Sequence, residues 1–283
     1  MAKNLEDIIV KEAKSSFYYT FLFLPEHKRK AMHTIYAFCR VTDDIIDADG
    51  FSQRERLNRI EEWRDELHKA LNSTSSKYEL LNSLSSAIKD FKMSTEPFFD
   101  LIEGVKMDLV KKRYETFDEL LVYCYRVAST IGIMSIELFG YKNPVSRDYA
   151  YNLGIAMQLT NILRDVKVDA ENDRIYLPQE DLKKFNYSNE NLKQYIYNQN
   201  FVDLMKFEVE RAEEYYRKAN ENFHPDDHKV LAMGRAMQEI YYKILKKIQN
   251  NKYDVFNKNN NLKSYQKMGI TIKNYIKYYL LNR

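Results

Sequence analysis

The sequence predicts an all-α protein, and three observations support that prediction. Glycine and proline are scarce, with 7 and 5 residues in a chain of 283, so few turns interrupt the secondary structure. Leu, Ile, Lys, Glu, Ala and Met, which favour helices, fill the periodic segments. No convincing run of alternating short strands is present. Because the composition shifts nowhere along the chain, residues 1–283 are expected to form a single domain.

Proline and glycine positions divide the chain into helices. The strongest breaks are Leu24-Pro25, Asp49-Gly50, Glu96-Pro97, Asn143-Pro144, Leu177-Pro178 and His224-Pro225. Two predicted helices, at residues 28–47 and 148–168, carry acidic motifs. The apolar periodicity predicts the others at residues 52–70, 77–92, 97–112, 116–138, 189–198, 201–221, 227–250 and 260–281.

Charge and cysteine content limit the partners and the compartment. Lys and Arg number 44 against 41 Asp and Glu, a formal net charge of +3, so the composition does not predict nucleic-acid binding. Residues 243–283 are more basic and are interpreted mainly as a solvated helix surface. The alternative is peripheral contact with the anionic inner face of a membrane. Two cysteines without an apolar leader predict a reduced, cytoplasmic protein. The sequence contains no run of 18 apolar residues, so no transmembrane helix is expected.

Two acidic clusters lie far apart in the chain, each at helical spacing. Asp43 and Asp47 are four residues apart, as are Asp165 and Asp169, so each pair of carboxylates lies on one helix face. Like charges at this spacing weaken a helix unless a cation lies between them. Because apolar residues surround both pairs, the acids are expected to point into a cavity. Two such pairs predict a site for Mg²⁺ bound to a phosphate-bearing substrate.

Hydrogen-bonding side chains extend each acidic pair into a longer polar stripe. Tyr36 and Arg40 precede the first pair on the same face. Gln158 and Asn161 precede the second, with Arg164 beside it. One polar stripe favours a solvated helix face, whereas two matched stripes in apolar surroundings favour a ligand site, because polar groups are costly to bury. The fixed donor forks of the two arginines suit phosphate oxygens.

The ordered motifs resemble those of the squalene/phytoene synthase family. Tyr36-Ala-Phe-Cys-Arg40 followed by Asp43-Asp44-Ile-Ile-Asp47 resembles the family's first aspartate-rich motif, and the segment from Gln158 to Asp169 resembles the second. Ser15-Ser16-Phe17-Tyr18-Tyr19 resembles its N-terminal diphosphate-binding stretch. Arg174-Ile-Tyr-Leu-Pro178 follows the second motif as it does in the family. The resemblance covers nearly the whole chain.

The resemblance implies a fold, a reaction and a metal. The fold would be the all-α isoprenoid-synthase bundle around a central cavity, and the reaction Mg²⁺-dependent head-to-head coupling of two prenyl diphosphates. One substrate would ionise, its cation would be captured by the alkene of the other, and proton loss would close a cyclopropane. Aromatic faces could stabilise the cation, and a dry pocket would protect it from water.

The resemblance also implies roles for individual residues. Asp43, Asp47, Asp165 and Asp169 would bind Mg²⁺, and Tyr123 would complete the catalytic set. Substrate contacts would come from Ser15, Ser16, Tyr36, Arg40, Gln158, Asn161, Arg164, Tyr241 and Lys258. Plain packing is an equal alternative for Tyr241. At Lys258 the chain departs from the family, which can place an arginine there, and a run of asparagines surrounds this lysine.

Within the family, Tyr123-Cys-Tyr125-Arg126-Val-Ala-Ser-Thr resembles bacterial presqualene diphosphate synthases of hopanoid pathways. This branch predicts condensation of two farnesyl diphosphates to presqualene diphosphate. Onward conversion to squalene or dehydrosqualene, and the use of NADPH, are both left open by the sequence. The alternative is a phytoene synthase acting on geranylgeranyl diphosphate. A non-catalytic lipid-binding or assembly relative would show eroded aspartates, and all four are intact. A helical phosphate hydrolase would use histidine ligands, but the five histidines do not join the acidic motifs.

Overall fold

The computed structural model describes residues 24–72 and 74–281, most of them in helices. The long helices, in chain order, are α1 (Glu26–Asp47), α2 (Gln53–Leu71), α3 (Glu79–Phe91), α4 (Glu96–Val110), α5 (Phe117–Cys124), α6 (Thr130–Phe139), α7 (Val145–Glu171), α10 (Gln199–Glu221), α11 (Ala232–Asn250) and α12 (Ser264–Tyr275). Two short helices, α8 (Gln179–Lys184) and α9 (Asn189–Lys193), lie between α7 and α10. π-helical turns follow α5 at Tyr125–Ser129 and α12 at Ile276–Leu281.

The predicted all-α class is confirmed. Within the described ranges, the only pairing of extended backbone is an isolated bridge between Arg113 and Ile175. This bridge ties the loop after α4 to the segment after α7. It therefore holds Arg174 and Tyr176, the neighbours of Ile175, close to the C-terminal end of α4.

Two clusters of buried apolar side chains form the core, and α6 belongs to both. The first cluster joins α1, α2, α3 and α4, with the ring of Phe38 packed between Trp63 and Phe98. The second joins α5, α7, α10 and α11. On α6, Met134 contributes to the first cluster and Ile133 to the second. The acidic segments of α1 and α7 thus belong to different halves of one bundle.

The observed helix ends differ from the predicted ones for local reasons. The helix predicted at 189–198 ends at Lys193, because Tyr195 adopts a left-handed φ of 55° and Asn198 then caps α10. The helix predicted from 227 begins at Ala232. Asp227 lies instead in a 3₁₀ turn, where its carboxylate accepts hydrogen bonds from the backbone of Lys142 at 2.8 Å. Helix α8 was not predicted, because it has only six residues.

One continuous helical run, Phe117–Phe139, is long and apolar enough to cross a membrane by length and composition. It comprises α5, the first π-helical turn and α6. Charged residues such as Arg126 and Glu137 interrupt it, so it contains no uninterrupted run of 18 apolar residues. Tyr123, Cys124 and Met134 of this run are buried within the core clusters, and a core helix passes the same test.

Candidate active site

The first acidic stripe lies on the last two turns of α1. Arg40, Asp43 and Asp47 all line a polar cavity of about 460 Å³. Burial and the negative charges of Asp47 and Asp108 raise the pKa of Asp43 to about 7, against the opposing effect of Arg40. The Asp43 side chain is 44% exposed, and its exposed part faces this cavity. The carboxylate is therefore surrounded by protein and by other acids.

The second acidic stripe lies on the C-terminal half of α7, across the same cavity. Gln158, Asn161, Arg164, Asp165 and Asp169 all contribute to its lining. Burial and the charge of Asp165 raise the pKa of Asp169 to about 7. The structure therefore brings both predicted stripes to one site, although more than 100 residues separate them in the sequence.

A fifth carboxylate joins the two stripes. Asp108 on α4 lines the cavity and accepts hydrogen bonds from the hydroxyls of Tyr123 at 2.9 Å and Tyr176 at 2.8 Å. Burial raises the pKa of Asp108, and the two hydrogen bonds and the charge of Arg174 oppose that shift. Burial also raises the pKa of Tyr123 well above its ordinary value. Both phenols therefore stay protonated at neutral pH and are fixed in direction by one acceptor.

The donor set of this cavity fits Mg²⁺. Among the described residues no three His, Cys, Asp or Glu side chains lie close enough together to cage an ion on their own. Mg²⁺ characteristically takes only one or two carboxylates and completes its shell with phosphate oxygens and water. Burial, followed by the charges of neighbouring acids, raises the pKa values of Asp43 and Asp169, and a bound cation would favour the ionised form of both. Asn161 Oδ1 is buried without a hydrogen-bond partner in the described structure, an oxygen left over for a ligand.

The two arginines of the stripes are each held by a neighbouring carboxylate. The guanidinium of Arg164 donates through Nε to Asp165 Oδ1 at 2.8 Å and through Nη2 to the other oxygen. Arg40 Nη2 donates to Asp44 Oδ1 at 3.1 Å, on the solvent side of α1. A phosphate group entering the cavity would compete for both forks. Release of Asp165 by Arg164 would free that carboxylate for a metal ion.

An apolar tunnel of about 190 Å³ continues from the polar cavity. The two share Val127, Gln158 and Asn161, which form the junction. From there the tunnel runs between α6 and α7 to Phe139 and Tyr149, and α11 closes one side. Each wall covers thirteen residues, 127–139 and 149–161, which is a rise of about 18 Å along a helix.

Close helix packing keeps the tunnel walls in place. A Cβ atom added at Gly154 of α7 would lie 2.4 Å from the Cα atom of Ser129, so only glycine fits against the first π-helical turn. That turn presents Val127 and Ala128 to the tunnel, in keeping with the frequent occurrence of π-turns at functional sites.

The remaining predicted residues lie in different places. Tyr241 of α11 lines the tunnel, close to Arg164 and Asn161. Tyr36 is buried in the first core cluster and does not line either cavity. Lys258 is exposed in the loop before α12 and lies outside the lining of the polar cavity. Ser15 and Ser16 lie outside the described residues.

Four residues of the site carried no predicted role. Asp108, Arg174 and Tyr176 line the polar cavity. Lys267 of α12 lies near Arg164, since burial and the charge of Arg164 lower its pKa. Arg174 and Tyr176 fall inside the segment Arg174-Ile-Tyr-Leu-Pro178, and Asp108 inside Met107-Asp108-Leu109, which resembles the family's middle region, but neither resemblance assigned them a role. Nothing in the sequence distinguishes Lys267 from the other lysines of the basic C-terminal part.

Comparisons with known proteins agree with this geometry. A family model described as squalene/phytoene synthase matches residues 10–266. The 15-cis-phytoene synthase of Synechococcus elongatus is 36% identical over 278 residues, covering 94% of this chain and 89% of that protein. The phytoene synthase of Arthrospira platensis is 35% identical, with coverage of 92% and 88%.

Two solved structures share the architecture. A crystal structure of a dehydrosqualene synthase in complex with ligand superposes with a TM-score of 0.83 and 32% identity, covering 97% of this chain and 95% of that one. The squalene synthase from Alicyclobacillus acidocaldarius superposes with a TM-score of 0.77 at 24% identity, covering 88% and 95% of the two chains. The fold is thus the all-α isoprenoid-synthase fold, as the sequence analysis expected.

Proposed function

The chain belongs to the squalene/phytoene synthase family, and we propose that it condenses two molecules of farnesyl diphosphate head to head to give presqualene diphosphate. Family membership makes it a prenyltransferase that acts on prenyl diphosphates. The observation that carries the proposal is the junction of the polar cavity with the apolar tunnel at Val127, Gln158 and Asn161. A prenyl diphosphate needs these two environments next to each other.

The polar cavity would bind and orient the two diphosphates. Asp43 and Asp47 on α1, with Asp165 and Asp169 on α7, would hold Mg²⁺. When bound, the metal supplies positive charge that neutralises the departing diphosphate. Arg40 would contribute a directed fork to phosphate oxygens once its carboxylate partner is displaced, and Arg164 would do the same.

The tunnel would protect the carbocation left after ionisation. Its lining is almost entirely apolar, so water is kept from the reacting carbon. Protonated Tyr123 and Tyr176 at the polar end cannot act as phenolate nucleophiles, because burial raises the pKa of each. Their oxygens, fixed by Asp108, present dipoles where positive charge develops.

Two observations bear on the length of the substrate. The bulky side chains of Phe139 and Tyr149 stand at the far end of a tunnel of about 18 Å, and the dehydrosqualene synthase likeness extends over nearly the whole chain. The likeness supports the C15 substrate, and Phe139 and Tyr149 are the side chains that a longer prenyl chain would meet. Geranylgeranyl diphosphate is the second candidate, because the curated relatives that are 36% and 35% identical are phytoene synthases.

A product assay tests the proposal. The purified chain is incubated with Mg²⁺ and farnesyl diphosphate, with and without NADPH, and separately with geranylgeranyl diphosphate. Products are identified by mass spectrometry after dephosphorylation. Presqualene alcohol is expected from the C15 substrate, and squalene or dehydrosqualene would place the second half-reaction in the same protein. Phytoene from the C20 substrate alone would overturn the chain length, and no product from either would overturn the proposed activity.

A further inference from the structure

A third cavity lies between α10, α11 and α12, on the face of α11 opposite to the tunnel. We call it the α10–α12 cavity; it measures about 390 Å³, within the range of roughly 300–1,000 Å³ typical of small-ligand sites. Met233 and Met237 of α11 face the tunnel, whereas Arg235 and Glu239 face this cavity. It contains none of the residues assigned to the candidate active site.

The lining of the α10–α12 cavity has an excess of positive charge. Its cations are Arg217, Arg235, Lys273 and Lys277, and its carboxylates are Glu213 and Glu239. Both carboxylates already have lysine partners: Glu213 is 2.6 Å from Lys246, and Glu239 is 2.5 Å from Lys273. Arg217 is held by Glu214 and Glu221, and Lys273 by Glu239. The lining cations without a carboxylate partner among the described residues are therefore Arg235 and Lys277.

Arg235 is the central cation of this excess. Its Nε donates to the hydroxyl of Tyr278 at 3.3 Å, and its Nη1 donates to Asn220 Oδ1 and Gln238 Oε1. All three acceptors are neutral. Within the described part of the chain, no carboxylate lies within ion-pair distance of this half-buried guanidinium. A partly buried cation without a counter-ion is costly unless an anion arrives.

Lys277 adds a second charge without a carboxylate partner among the described residues. It lies beside Tyr278, whose side chain is buried. Although burial raises the pKa of Tyr278, the adjacent charges of Arg235 and Lys277 outweigh that effect and lower it. The phenol thus stands between two cations that no acidic side chain of the described structure balances.

We propose that the α10–α12 cavity is a second anion site that binds a small phosphate-bearing molecule. The planar fork of Arg235 can bind two phosphate oxygens at once, with Lys277 as a point charge beside it. The cavity is larger than a phosphate group needs, and the rings of Tyr216 and Tyr242 stand in its wall for contact with a further group. This site does not depend on the proposed prenyl-coupling reaction.

The new site shares a wall with the tunnel. Gln238 accepts a hydrogen bond from Arg235 at 2.9 Å and another from the hydroxyl of Tyr149, a tunnel residue, at 3.2 Å. Substitution of Arg235 therefore also disturbs the tunnel. Lys277 lies farther from this wall, on the last helical segment that the structure describes. Its substitution therefore tests the anion site with less disturbance of the tunnel.

Isothermal titration calorimetry of the full chain in EDTA tests the proposal, with inorganic phosphate, inorganic diphosphate and phenyl phosphate as probes. Lys277→Met should weaken binding about threefold and Arg235→Met at least about tenfold, because each removes a charge-assisted contact. The affinity of Arg235→Lys should lie between the affinities of these two variants. Because Arg235→Lys keeps the positive charge, it also shows whether a loss of binding in Arg235→Met comes from misfolding. Tightest binding of phenyl phosphate would indicate that the ligand is a phosphate ester, and tightest binding of phosphate or diphosphate would indicate a free ion.

Two control variants separate this site from other anion contacts. Lys206→Met removes one charge from an exposed position on α10 and should leave binding unchanged. Arg164→Met removes a phosphate fork from the candidate active site and should leave one class of binding intact. Loss of all binding in Arg164→Met, equal binding by the Lys277 and Lys206 variants, or no heat with any probe would each overturn the second site.

Discussion

The polar cavity and the apolar tunnel meet at three residues, yet they have opposite effects on the stability of the ligand-free protein. In the polar cavity, burial and the charges of neighbouring acids raise the pKa of Asp43 and of Asp169 to about 7. That arrangement disfavours the ligand-free fold. The tunnel is part of the core, so its walls contribute to stability through packing. Polar-cavity substitutions should therefore change activity without loss of stability, whereas tunnel-wall substitutions should change both.

The largest effect is expected at the acids. Asp43→Asn or Asp165→Asn should lower kcat/KM at least about a hundredfold, because several kcal/mol of charge stabilisation depends on the metal. For Asp43→Asn the melting temperature without Mg²⁺ should stay unchanged or rise, because a repulsive charge is removed. Asp165→Asn also breaks the ion pair with Arg164, so the stability comparison uses Asp43→Asn alone. Steady-state kinetics with a prenyl diphosphate and thermal melts in EDTA measure the two quantities.

Asp44→Asn is the matched control for this experiment. Asp44 is adjacent in sequence, but its side chain is 61% exposed and does not line the polar cavity. It should retain activity within about threefold, the loss expected from a surface ion pair and not from a metal ligand. Full activity in the Asp43 and Asp165 variants would contradict the metal site.

The second effect tests the tunnel wall. Gly154→Ala should destabilise the fold by about 1–3 kcal/mol or more, because the added methyl group would meet backbone atoms of Ser129 that cannot move aside easily. Activity should fall with it, since Ser129 belongs to the π-helical turn that presents Val127 to the junction. Urea denaturation and product formation are measured on the same preparation.

Gly269→Ala provides the comparison, because nothing lies within 4 Å of a Cβ atom placed there. This residue is inside α12, where alanine should stabilise by about 0.5–1 kcal/mol. A Gly154 variant as stable as wild type would show that the π-helical turn can shift away from α7.

The polar cavity and the tunnel also differ in how much of each the sequence predicts, and the polar cavity is predicted in part. The acidic stripes of α1 and α7 are local patterns, and helical spacing alone places Asp43 with Asp47 and Asp165 with Asp169. Asp108 and Tyr176 reach the same cavity through tertiary contacts, including the bridge between Arg113 and Ile175. No local pattern encodes such a contact.

The tunnel could not be predicted from the sequence for a different reason. Its lining residues, such as Ile131, Leu153 and Met237, have the composition and periodicity of an ordinary core face. Such a face can pack against its neighbours without a gap or can leave a tunnel. The outcome depends on the size of the residues opposite it, which here include Gly132 and Gly234. The all-α class followed from composition and periodicity, but helix ends at Lys193 and Ala232 depended on single turn residues and caps.

The third prediction concerns Lys267, which lies near Arg164 but outside the lining of the polar cavity. Lys267→Met should raise KM for the prenyl diphosphate about tenfold, because a charge near Arg164 is lost from the phosphate region. Lys258→Met removes the same charge from an exposed loop position and should change KM less than about twofold. The reverse result would restore Lys258 as the substrate contact and place Lys267 outside the site.

The smallest effect is expected at the far end of the tunnel. Phe139→Ala should lengthen the tunnel and raise the ratio of C20 to C15 turnover about fivefold, since a few methylene groups in an apolar pocket give modest discrimination. Phe91→Ala makes the same truncation beside the first core cluster without touching the tunnel, so it should lower stability but leave the ratio unchanged. Competition between farnesyl and geranylgeranyl diphosphate, read by mass spectrometry, measures that ratio. An equal shift in both variants would mean that loosening of the core, and not tunnel length, selects the substrate.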